Sequence, residues 1–338
     1  EYLSRDGHAV FVLADGIKRE DVNGFTFIEL KNKGPSRYYK KKECEEIVKE
    51  IRPDIVYAFT QISLYTAGVC KKYGIPLIAE LHGLDSYNYF NKRNLPEWIG
   101  YPLNPLMRYL VKDVDFLVVV APALQKFYRN MNVDSVVMIM GTNLQRTKAT
   151  NIPSPQKEKI KVMYSGNLKK HQGIDLLFSA IKEIKDRGEK RFFFLFMGGG
   201  TKELEQYIAR YGVAEFCYDL GKPSFEQTAC YLATADIFVV PWTHSKAGKY
   251  CSASKIPDYL AMKRPIISTF FADPLNLIQN SEIRVREDKN ELIHALKEIV
   301  GNRKYLRNAE RYDANPITIE ANIKDLNRIF QRVLNSCS

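Results

Sequence analysis

The chain has 338 residues, of which 45% are hydrophobic, and this composition is sufficient for two ordinary α/β domains. The formal net charge of +11 favours an anionic partner, such as a nucleotide, a phosphorylated lipid, a membrane surface or nucleic acid. Nucleic acid is not the expected partner, because the sequence has neither paired Cys/His finger spacing nor an aromatic-glycine RNA-binding stretch.

The cysteine pattern and the hydropathy pattern limit the compartment and the class of protein. The six cysteines are scattered and no two have C-x-x-C spacing, which argues against a zinc or redox motif and is typical of reduced thiols. No run of about 18 apolar residues predicts a membrane span, and no signal peptide is visible. We therefore expect a cytoplasmic protein, with peripheral contact at the membrane surface left open.

Strands and helices alternate in the first half of the chain. Residues 2–8 are typical of a last helical turn with Gly7 as its C-cap, and residues 9–14 (AVFVLA) are an apolar strand. An α/β domain normally begins with a strand and loop before such a helix, so we expect a first strand and its loop to be missing from this sequence. Further strands are predicted at residues 25–30, 55–59, 75–81, 116–120 and 135–140, with helices at residues 43–51, 63–73 and 122–130.

The same alternation restarts in the second half, after a polar segment with two prolines (residues 151–159) that is predicted as an interdomain linker. The repeated strand–helix order predicts an α/β fold class with doubly wound parallel sheets. Ligands bind such sheets outside the carboxyl ends of the strands, and two domains of similar size indicate a cleft between them. Strands are predicted at residues 160–164, 192–197, 217–220, 237–241 and 265–269, and helices at residues 174–186, 202–211, 224–234, 291–300 and 317–334.

Residues 249–269 (KYCSASKIPDYLAMKRPIIST) are predicted as a loop, a helix, a tight turn and a strand. Ser252 and Ser254 provide N-cap side chains ahead of the helix, and Pro265 ends it. Lys255 lies beside the predicted helix N-terminus, which is a natural place for a phosphate group. An ordinary αβ unit without a ligand is the alternative that this stretch leaves open.

Residues 165–177 (SGNLKKHQGIDLL) follow a predicted strand and contain the glycines that a phosphate-binding loop needs. Gly166 lets the backbone approach a diphosphate, and Gly173 permits a tight turn into the next helix. Lys170 is the preferred source of positive charge in this loop, although a solvated basic turn is the alternative. In the first half, His82 follows an apolar strand directly and is either a reactive group or a satisfied structural donor.

Four segments, in chain order, resemble the retaining glycosyltransferases of the GT-B fold, of the family four-like and group one type. Residues 52–85 are similar to the pattern "kPDvVha… giPlv… lHgxD", residues 165–177 to "GxLxxxKGxdxLl", residues 235–241 to "aDifvxPs", and residues 249–269 to "PxKxxEYxAxGKPII". The resemblance covers nearly the whole chain and implies two Rossmann-like doubly wound parallel-sheet domains facing a cleft. It implies an acceptor domain at residues 1–150, a nucleotide-sugar-binding domain at residues 151–316, and a terminal helix at residues 317–338 that packs back towards the first domain.

The resemblance also implies roles for individual residues. His82 would be the catalytic residue, because the family's histidine at this place contacts the donor sugar near the reacting centre, and Asp85 would contact the acceptor. The implied donor-binding residues are Gly166, Asn167, Lys170, Gln172, Ser252, Ser254, Lys255 and Asp258.

Four positions depart from the family pattern. Family members often carry Arg and Lys where this chain has Asn167 and Gln172, and the family's E-x7-E pair corresponds to Tyr250 and Asp258. Asp258 can still accept hydrogen bonds from the ribose hydroxyls, as the second Glu of the pair does. Loss of the first carboxylate puts sugar recognition in doubt.

The implied activity is transfer of a sugar from a nucleotide-diphosphate donor to a glycan, lipid-linked or small-molecule acceptor, by a hexosyltransferase-like, retaining and metal-independent enzyme. No cofactor is expected, and the D-x-D at Asp113 and Asp115 leads into a strand and is not expected to bind metal. Open alternatives are a non-catalytic scaffold or partner subunit, a sugar-nucleotide epimerase and a phosphorylase.

Two basic-aromatic segments lie in the first domain, one from Arg37 to Lys42 and one from Tyr87 to Lys112. Such mixtures suit a membrane interface or a lipid-linked acceptor. A lid over the acceptor pocket, packed by its own aromatic side chains, is the alternative reading of the same composition.

Overall fold

The structure is a computed structural model that describes residues 2–15, 21–22, 25–30, 37–84, 96–144, 156, 158–269, 282–313 and 315–337. The chain divides into two compact units, one formed by Glu1–Met138 with Ile319–Ser338 and the other by Ile139–Thr318. The N-terminal part of the first unit ends at Met138, before the boundary predicted at residue 150, because the segment after Met138 is hydrogen-bonded to the second unit. There the Thr142 N–H donates to the Ile317 carbonyl oxygen at 2.9 Å.

The first unit is an α/β unit whose strands and helices alternate, with a 3₁₀ helix at Glu97–Leu103. Its strands and helices, in chain order, are α1 (Tyr2–Arg5), β1 (Val10–Asp15), β2 (Asp21–Val22), β3 (Phe25–Leu30), α2 (Arg37–Ile51), β4 (Val56–Phe59), α3 (Thr60–Tyr73), β5 (Leu77–Leu81), α4 (Asn104–Leu110), β6 (Phe116–Val119), α5 (Pro122–Tyr128) and β7 (Asp134–Val137).

The described strands of the first unit form two sheets. One has the order β1-β3-β2, with β1 parallel and β2 antiparallel to β3, and the other has the order β4-β5-β6-β7 with all neighbours parallel. The central strands β5 and β6 of the second sheet are apolar except for Glu80 near the end of β5, since parallel strands are covered on both faces. Leu77, Ile78 and Leu117 are fully buried there. His82 follows β5 directly and so lies at the carboxyl edge of this sheet.

The second unit repeats the alternation and adds short 3₁₀ helices at Lys170–Gln172, Ala214–Phe216 and Asn315–Ile317. Its strands and helices are β8 (Ile160–Ser165), α6 (Ile174–Asp186), β9 (Phe192–Met197), α7 (Thr201–Tyr211), β10 (Cys217–Asp219), α8 (Phe225–Leu232), β11 (Ile237–Val240), α9 (Lys246–Lys249), α10 (Lys255–Ala261), β12 (Ile266–Ser268), β13 (Glu282–Arg284), α11 (Lys289–Gly301) and α12 (Lys304–Glu310).

The sheet of the second unit has the order β10-β9-β8-β11-β12-β13, and all of its neighbours pair in parallel. β9 shows how this sheet is covered on both faces. Phe192, Phe194 and Phe196 enter the core on one face, whereas Phe193 and Leu195 enter the core on the other. Because strand side chains alternate between faces, this continuous aromatic run supplies both cores at once.

The last helix, α13 (Ile319–Cys337), belongs to the first unit. Its buried side chains recur at helical spacing, as Leu326, Ile329, Phe330 and Val333, and they pack against Ile78, Phe116 and Val118 of the β4–β7 sheet. This apolar stripe, with polar residues on the other face, is what the 3.6-residue period of an amphipathic helix requires.

The predicted α/β class with parallel Rossmann-like sheets is confirmed. One local prediction is too short: the helix predicted at residues 43–51 begins at Arg37 in the structure, so the basic-aromatic segment from Arg37 to Lys42 is helical. The reason is that arginine and lysine favour helix, while the segment carries no apolar periodicity that would have indicated one. The side chains of residues 37–40 and of residues 85–95 lie outside the described part of the chain.

Candidate functional site

The sheet of the second unit has a switch point between β8 and β11. From β8 the chain moves outwards to β9 and β10 on one side, and from β11 it moves outwards to β12 and β13 on the other. In open α/β sheets, ligands bind outside the carboxyl ends of the strands at such a point. The segments that follow these two strands begin at Gly166 and Pro241, so the candidate site is built from them.

Two glycines shape the loop that follows β8. Gly173 has φ +72°, and a Cβ at this position would lie 1.5 Å from the Pro241 carbonyl oxygen after β11. Gly166 has φ +136°, and its Cβ would lie 2.8 Å from Nζ of Lys255. Gly173 requires glycine because both its backbone conformation and the nearby Pro241 backbone disfavour a side chain, whereas at Gly166 the backbone conformation alone favours glycine. The loop therefore packs tightly against the segment after β11 and lies beside the Lys255 side chain.

Gln172 is the polar centre of the site and is only 7% exposed. Its Oε1 atom accepts from Lys255 Nζ at 2.9 Å and from the Trp242 indole Nε1, and it lies 3.3 Å from the Tyr164 hydroxyl. The Tyr164 hydroxyl also donates to the Asn167 carbonyl oxygen at 2.6 Å. These contacts join β8, the loop after it, the segment after β11 and α10 at one point.

Lys255 is a buried amine at the start of α10, with 9% of its surface exposed. Burial lowers the pKa of its amine from the usual 10.5 to about 7. Its Nζ lies 4.2 Å from the centre of the Tyr164 ring, which stabilises the ammonium form by a cation–π interaction. Among the described residues, no carboxylate forms an ion pair with Lys255. The site thus holds an amine that gains and loses its proton near neutral pH, and no described carboxylate pairs with its protonated form.

The other predicted residues of the loop lie at its surface. Asn167 and Lys170 are exposed. The Asn167 side chain accepts from the Lys169 N–H at 3.3 Å, which shapes the loop rather than extending towards a ligand. Lys170 opens the 3₁₀ turn that carries Gln172 inwards. The donor-binding roles of Asn167 and Lys170 remain predictions.

The predicted N-cap of α10 is wrong for Ser254. Its backbone is already helical (φ −53°, ψ −21°), and its side chain makes no capping hydrogen bond. A capping residue needs extended backbone for its side chain to reach the N–H groups of the first turn, and Ser254 lacks that conformation. Ser254 is exposed and Ser252 is half-buried, so their donor-binding roles stay predictions.

Asp258 lies on α10, where its carboxylate Oδ1 accepts from the Thr142 hydroxyl at 2.6 Å. Burial raises the pKa of the Asp258 carboxyl, and the hydrogen bond from Thr142 offsets part of that shift. Thr142 is itself buried, at 4% exposure, so this pair holds the segment after Met138 against α10. The predicted contact of Asp258 with a ribose remains a prediction.

His82 lies in a separate polar group at the carboxyl edge of the first unit. The Tyr57 hydroxyl donates to Glu80 Oε2, and Glu80 Oε1 lies 2.8 Å from His82 Nε2. This last contact is outside hydrogen-bond geometry and is an ion pair only when the imidazole is protonated. Burial raises the pKa of Tyr57, and the neighbouring Glu80 carboxylate raises it further. Asp85, the predicted acceptor contact, lies outside the described residues.

The acidic residues of the D-x-D segment are occupied by protein contacts. Asp113 forms an ion pair with Lys71 at 2.6 Å, and Asp115 accepts from the Leu77 N–H at 2.7 Å. Across the described residues, no group of three or more His, Cys, Asp or Glu side chains is arranged to hold a metal ion. In the same part of the chain, no helix is both long enough and apolar enough to cross a bilayer.

Sequence reasoning missed four residues that shape these sites, namely Tyr164, Trp242, Thr142 and Glu80. Trp242 lies two residues after the end of β11, so the rule that functional residues follow strands could have found it. Tyr164 and Glu80 lie within strands, where this rule does not look for them. Thr142 lies in a segment without periodicity, and its partner Asp258 is distant in the chain.

Each of the two units matches a family of known proteins. Residues 159–302 match the family described as Glycosyl transferases group 1, and residues 1–145 match Glycosyltransferase Family 4. A search of curated proteins finds no significant match.

Solved structures with the same fold extend over nearly the whole chain. Sucrose-phosphate synthase from Thermosynechococcus elongatus is 15% identical, with a TM-score of 0.78 over 99% of this chain and 92% of that chain. A glycosyltransferase from Rickettsia africae is 17% identical, with a TM-score of 0.71 over 98% and 92%. Anabaena Alr3699/HepE in complex with UDP-glucose is 17% identical, with a TM-score of 0.67 over 89% and 86%.

The parallel sheets, the switch-point site and these structural neighbours define a GT-B fold built from two Rossmann-like domains. The two family matches together cover both halves of the chain. The chain therefore belongs to the GT-B glycosyltransferases of the group 1 and family 4 type.

Proposed function

We propose that this chain transfers a hexose from a nucleotide-diphosphate sugar to an acceptor hydroxyl with retention of anomeric configuration, and that the second unit binds the donor. The main support for the proposal is the Lys255 amine, which lies at the switch point beside the Gly166 loop and has no carboxylate partner among the described residues. An anionic diphosphate supplies the charge that this buried cation lacks, and it would keep the amine protonated. Structures of Anabaena HepE contain UDP and UDP-glucose, which supports a nucleotide-sugar donor.

The roles of the chain's own residues follow from this assignment. Lys255 would hold the departing diphosphate and stabilise its charge as the bond to the sugar breaks. The Gly166 loop would bring backbone N–H groups to the same phosphates. Asp258 would accept from the ribose hydroxyls, and His82 keeps its proposed role near the reacting carbon. No metal is needed in this scheme, because the lysine and the backbone dipoles neutralise the leaving group.

The first test is thermal unfolding with a panel of UDP, GDP, ADP and their sugars. A ligand at 100 times its dissociation constant stabilises the folded state by about 2.7 kcal/mol. We expect one base to stabilise the wild type and Lys297→Met, whereas Lys255→Met loses the effect. Lys297 is a matched control, because it is an exposed lysine on α11 in the same unit. Equal stabilisation of both variants would refute the role of Lys255.

Retention can be tested without knowing the acceptor. The protein is incubated with the α-linked nucleotide sugar that stabilises it, and the slowly released free sugar is observed by proton NMR before it mutarotates. An α-anomer as first product supports retention, and a β-anomer excludes it. The same reaction in the presence of EDTA tests metal independence, since a metal-requiring enzyme would lose turnover.

The departures at Asn167, Gln172 and Tyr250 favour one competing function, a non-catalytic scaffold or partner subunit. Nucleotide-sugar binding without any turnover would support it. Release of free nucleotide without an added acceptor, at a rate that an acceptor does not increase, would point to an epimerase, and phosphate-dependent release of a sugar phosphate from a glycan would point to a phosphorylase. Release of nucleotide that an added acceptor accelerates well above the slow hydrolysis supports the transferase.

The acceptor is proposed to be a glycan, a lipid-linked sugar or a small molecule, with peripheral contact of the first unit at a membrane. Exposed aromatic side chains, with a lysine beside one of them, support contact with a membrane. Trp98 and Tyr109 are 66% and 59% exposed, and Lys112 Nζ lies 3.9 Å from the Tyr109 ring centre. Sedimentation with anionic vesicles tests the contact, with Trp98→Ser as the variant expected to weaken it. Equal binding of the variant would exclude this surface.

A further inference from the structure

The Gln172 side chain is fixed by donors from two other segments. Lys255 Nζ and the Trp242 indole N–H both point at its carbonyl oxygen, and an amide oxygen has two lone pairs to offer. The Tyr164 hydroxyl lies farther away, at 3.3 Å, and its proton is engaged by the Asn167 carbonyl oxygen at 2.6 Å. Turning the amide would set its NH₂ group against two donors, so the contacts determine its orientation.

An oxygen engaged in this way cannot bind a phosphate, because phosphate oxygens and amide oxygens are both acceptors. On its other side, the Gln172 amide nitrogen lies 3.3 Å from His171 Nε2. The described hydrogen-bond partners of the Gln172 amide group are therefore all groups of the protein. Whatever Gln172 contributes to a bound anion, it contributes through Lys255.

We propose that Gln172 is a positioning residue of the donor site: its carbonyl oxygen, held by Trp242, aims the Lys255 Nζ at the Gly166 loop while leaving the charge of the amine available to an anion. This inference rests on the proposed function, because it assumes that the anion is the donor diphosphate. A carboxylate in the same place would hold the amine but cancel its charge. An apolar side chain would leave two buried donors unsatisfied, which is costly.

Among the described side chains, a neutral acceptor, the Gln172 carbonyl oxygen, receives the hydrogen bond from Lys255. Titratable groups around Lys255 include Tyr164 on β8, His171 beyond the Gln172 amide, and Asp258 and Tyr259 on its own helix, while Glu203 on α7 acts electrostatically on Tyr164. Asp258 accepts from Thr142, and the Tyr259 hydroxyl accepts from the Ser165 N–H at 2.7 Å. Gln172 is thus the described side chain whose oxygen receives Nζ directly.

The first experiment uses the ligand-free protein. The titration of Lys255 is followed by the ¹³Cε resonance of labelled lysine, and it is distinct because ordinary lysines titrate near pH 10.5 whereas this amine has a pKa of about 7. We expect Gln172→Glu to raise the lysine pKa by more than one unit, since it adds a carboxylate. We expect Gln172→Met to lower it, since it removes the acceptor. Titration at the wild-type pH in both variants would overturn the proposal.

The second experiment measures the binding of UDP, GDP and ADP between pH 7.0 and 8.5 through Trp242 fluorescence. Trp98→Phe is the background, because the chain has two tryptophans and Trp98 is the exposed one. In this background, affinity should fall as the pH rises and the amine loses its proton. Gln172→Glu should bind the nucleotide at least tenfold more weakly, with an affinity that does not change over this pH range. In Gln172→Met, the fall in affinity with rising pH should begin at a lower pH than in the background protein. Gln206→Glu, the same change at an exposed position of α7, is the control and should bind normally.

The two experiments separate this inference from the proposed function. If the background protein binds none of UDP, GDP and ADP while the lysine titration shifts as expected, the donor site is refuted and the Gln172–Lys255 link stands. If a nucleotide binds and Gln172→Glu binds it as tightly as the control does, the positioning role is refuted. The position of the Trp242 indole N–H resonance shows in each variant that the site has folded.

Discussion

The substitution Gly173→Ala tests whether the loop after β8 packs tightly against the segment after β11 as described. At φ +72° an alanine costs about 1–2 kcal/mol for left-handed backbone. Its Cβ would also lie 1.5 Å from the Pro241 carbonyl oxygen, where an ordinary contact needs about 3.5 Å, so the backbone must move by about 2 Å. Overpacking of this kind costs about 1–3 kcal/mol more. We therefore expect a loss of about 2–5 kcal/mol.

Gly188→Ala is the matched control. Gly188 has φ +68° in the same unit, but a Cβ there would meet nothing within 4 Å, so only the backbone cost of about 1–2 kcal/mol applies. At about 3 °C per kcal/mol, the melting temperature should fall by about 6–15 °C for Gly173→Ala and about 3–6 °C for the control. Thermal unfolding is followed by Trp242 fluorescence in the Trp98→Phe background, which reports on the second unit. Equal melting temperatures of the two variants would refute the contact with Pro241.

Three further substitutions test other parts of the account. Relative to Lys255→Met, the wild type should gain up to about 1.4 kcal/mol of stability per pH unit between about pH 7 and pH 10.5, because the unfolded chain binds a proton that the folded chain does not. Urea unfolding at several pH values measures the difference in free energy of unfolding between the two proteins, and a difference that is constant with pH would contradict the lowered pKa of Lys255. Tyr259→Phe removes the acceptor of the Ser165 N–H and should cost about 1–3 kcal/mol in a thermal melt, whereas an unchanged melting temperature would show that the bond contributes nothing. Phe330→Ala should cost the first unit about 3–5 kcal/mol and speed hydrogen exchange in α13, and unaltered exchange there would argue against its packing.

The fold could be predicted well from the sequence because its signals are local. Apolar strands followed by amphipathic helices predict parallel sheets, and the chain order predicts which segments follow strands. Gly166 and Gly173 were chosen for a tight turn and a close approach, and both have the backbone angles that only glycine adopts readily. The helix predicted from residue 224 is present as α8, and Ser224 forms a capping box with Gln227 at its start.

The polar core of the site could not be predicted, because its hydrogen bonds join residues far apart in sequence. Gln172 was chosen as a ligand contact, and nothing near it in the chain indicated that Trp242 and Lys255 would both donate to its oxygen. Ser254 was predicted as an N-cap from its residue type alone. Its backbone conformation, which decides whether a cap can form, depends on how the preceding loop packs.

Hydrogen exchange of the second unit, measured with and without a saturating nucleoside diphosphate from the panel, shows directly whether a diphosphate binds between β8 and β11. We expect slower exchange of backbone N–H groups in residues 166–173 and at the start of α10, with no such protection in Lys255→Met. Protection that spares this loop, or that persists in Lys255→Met, would contradict a donor diphosphate at the switch point between β8 and β11.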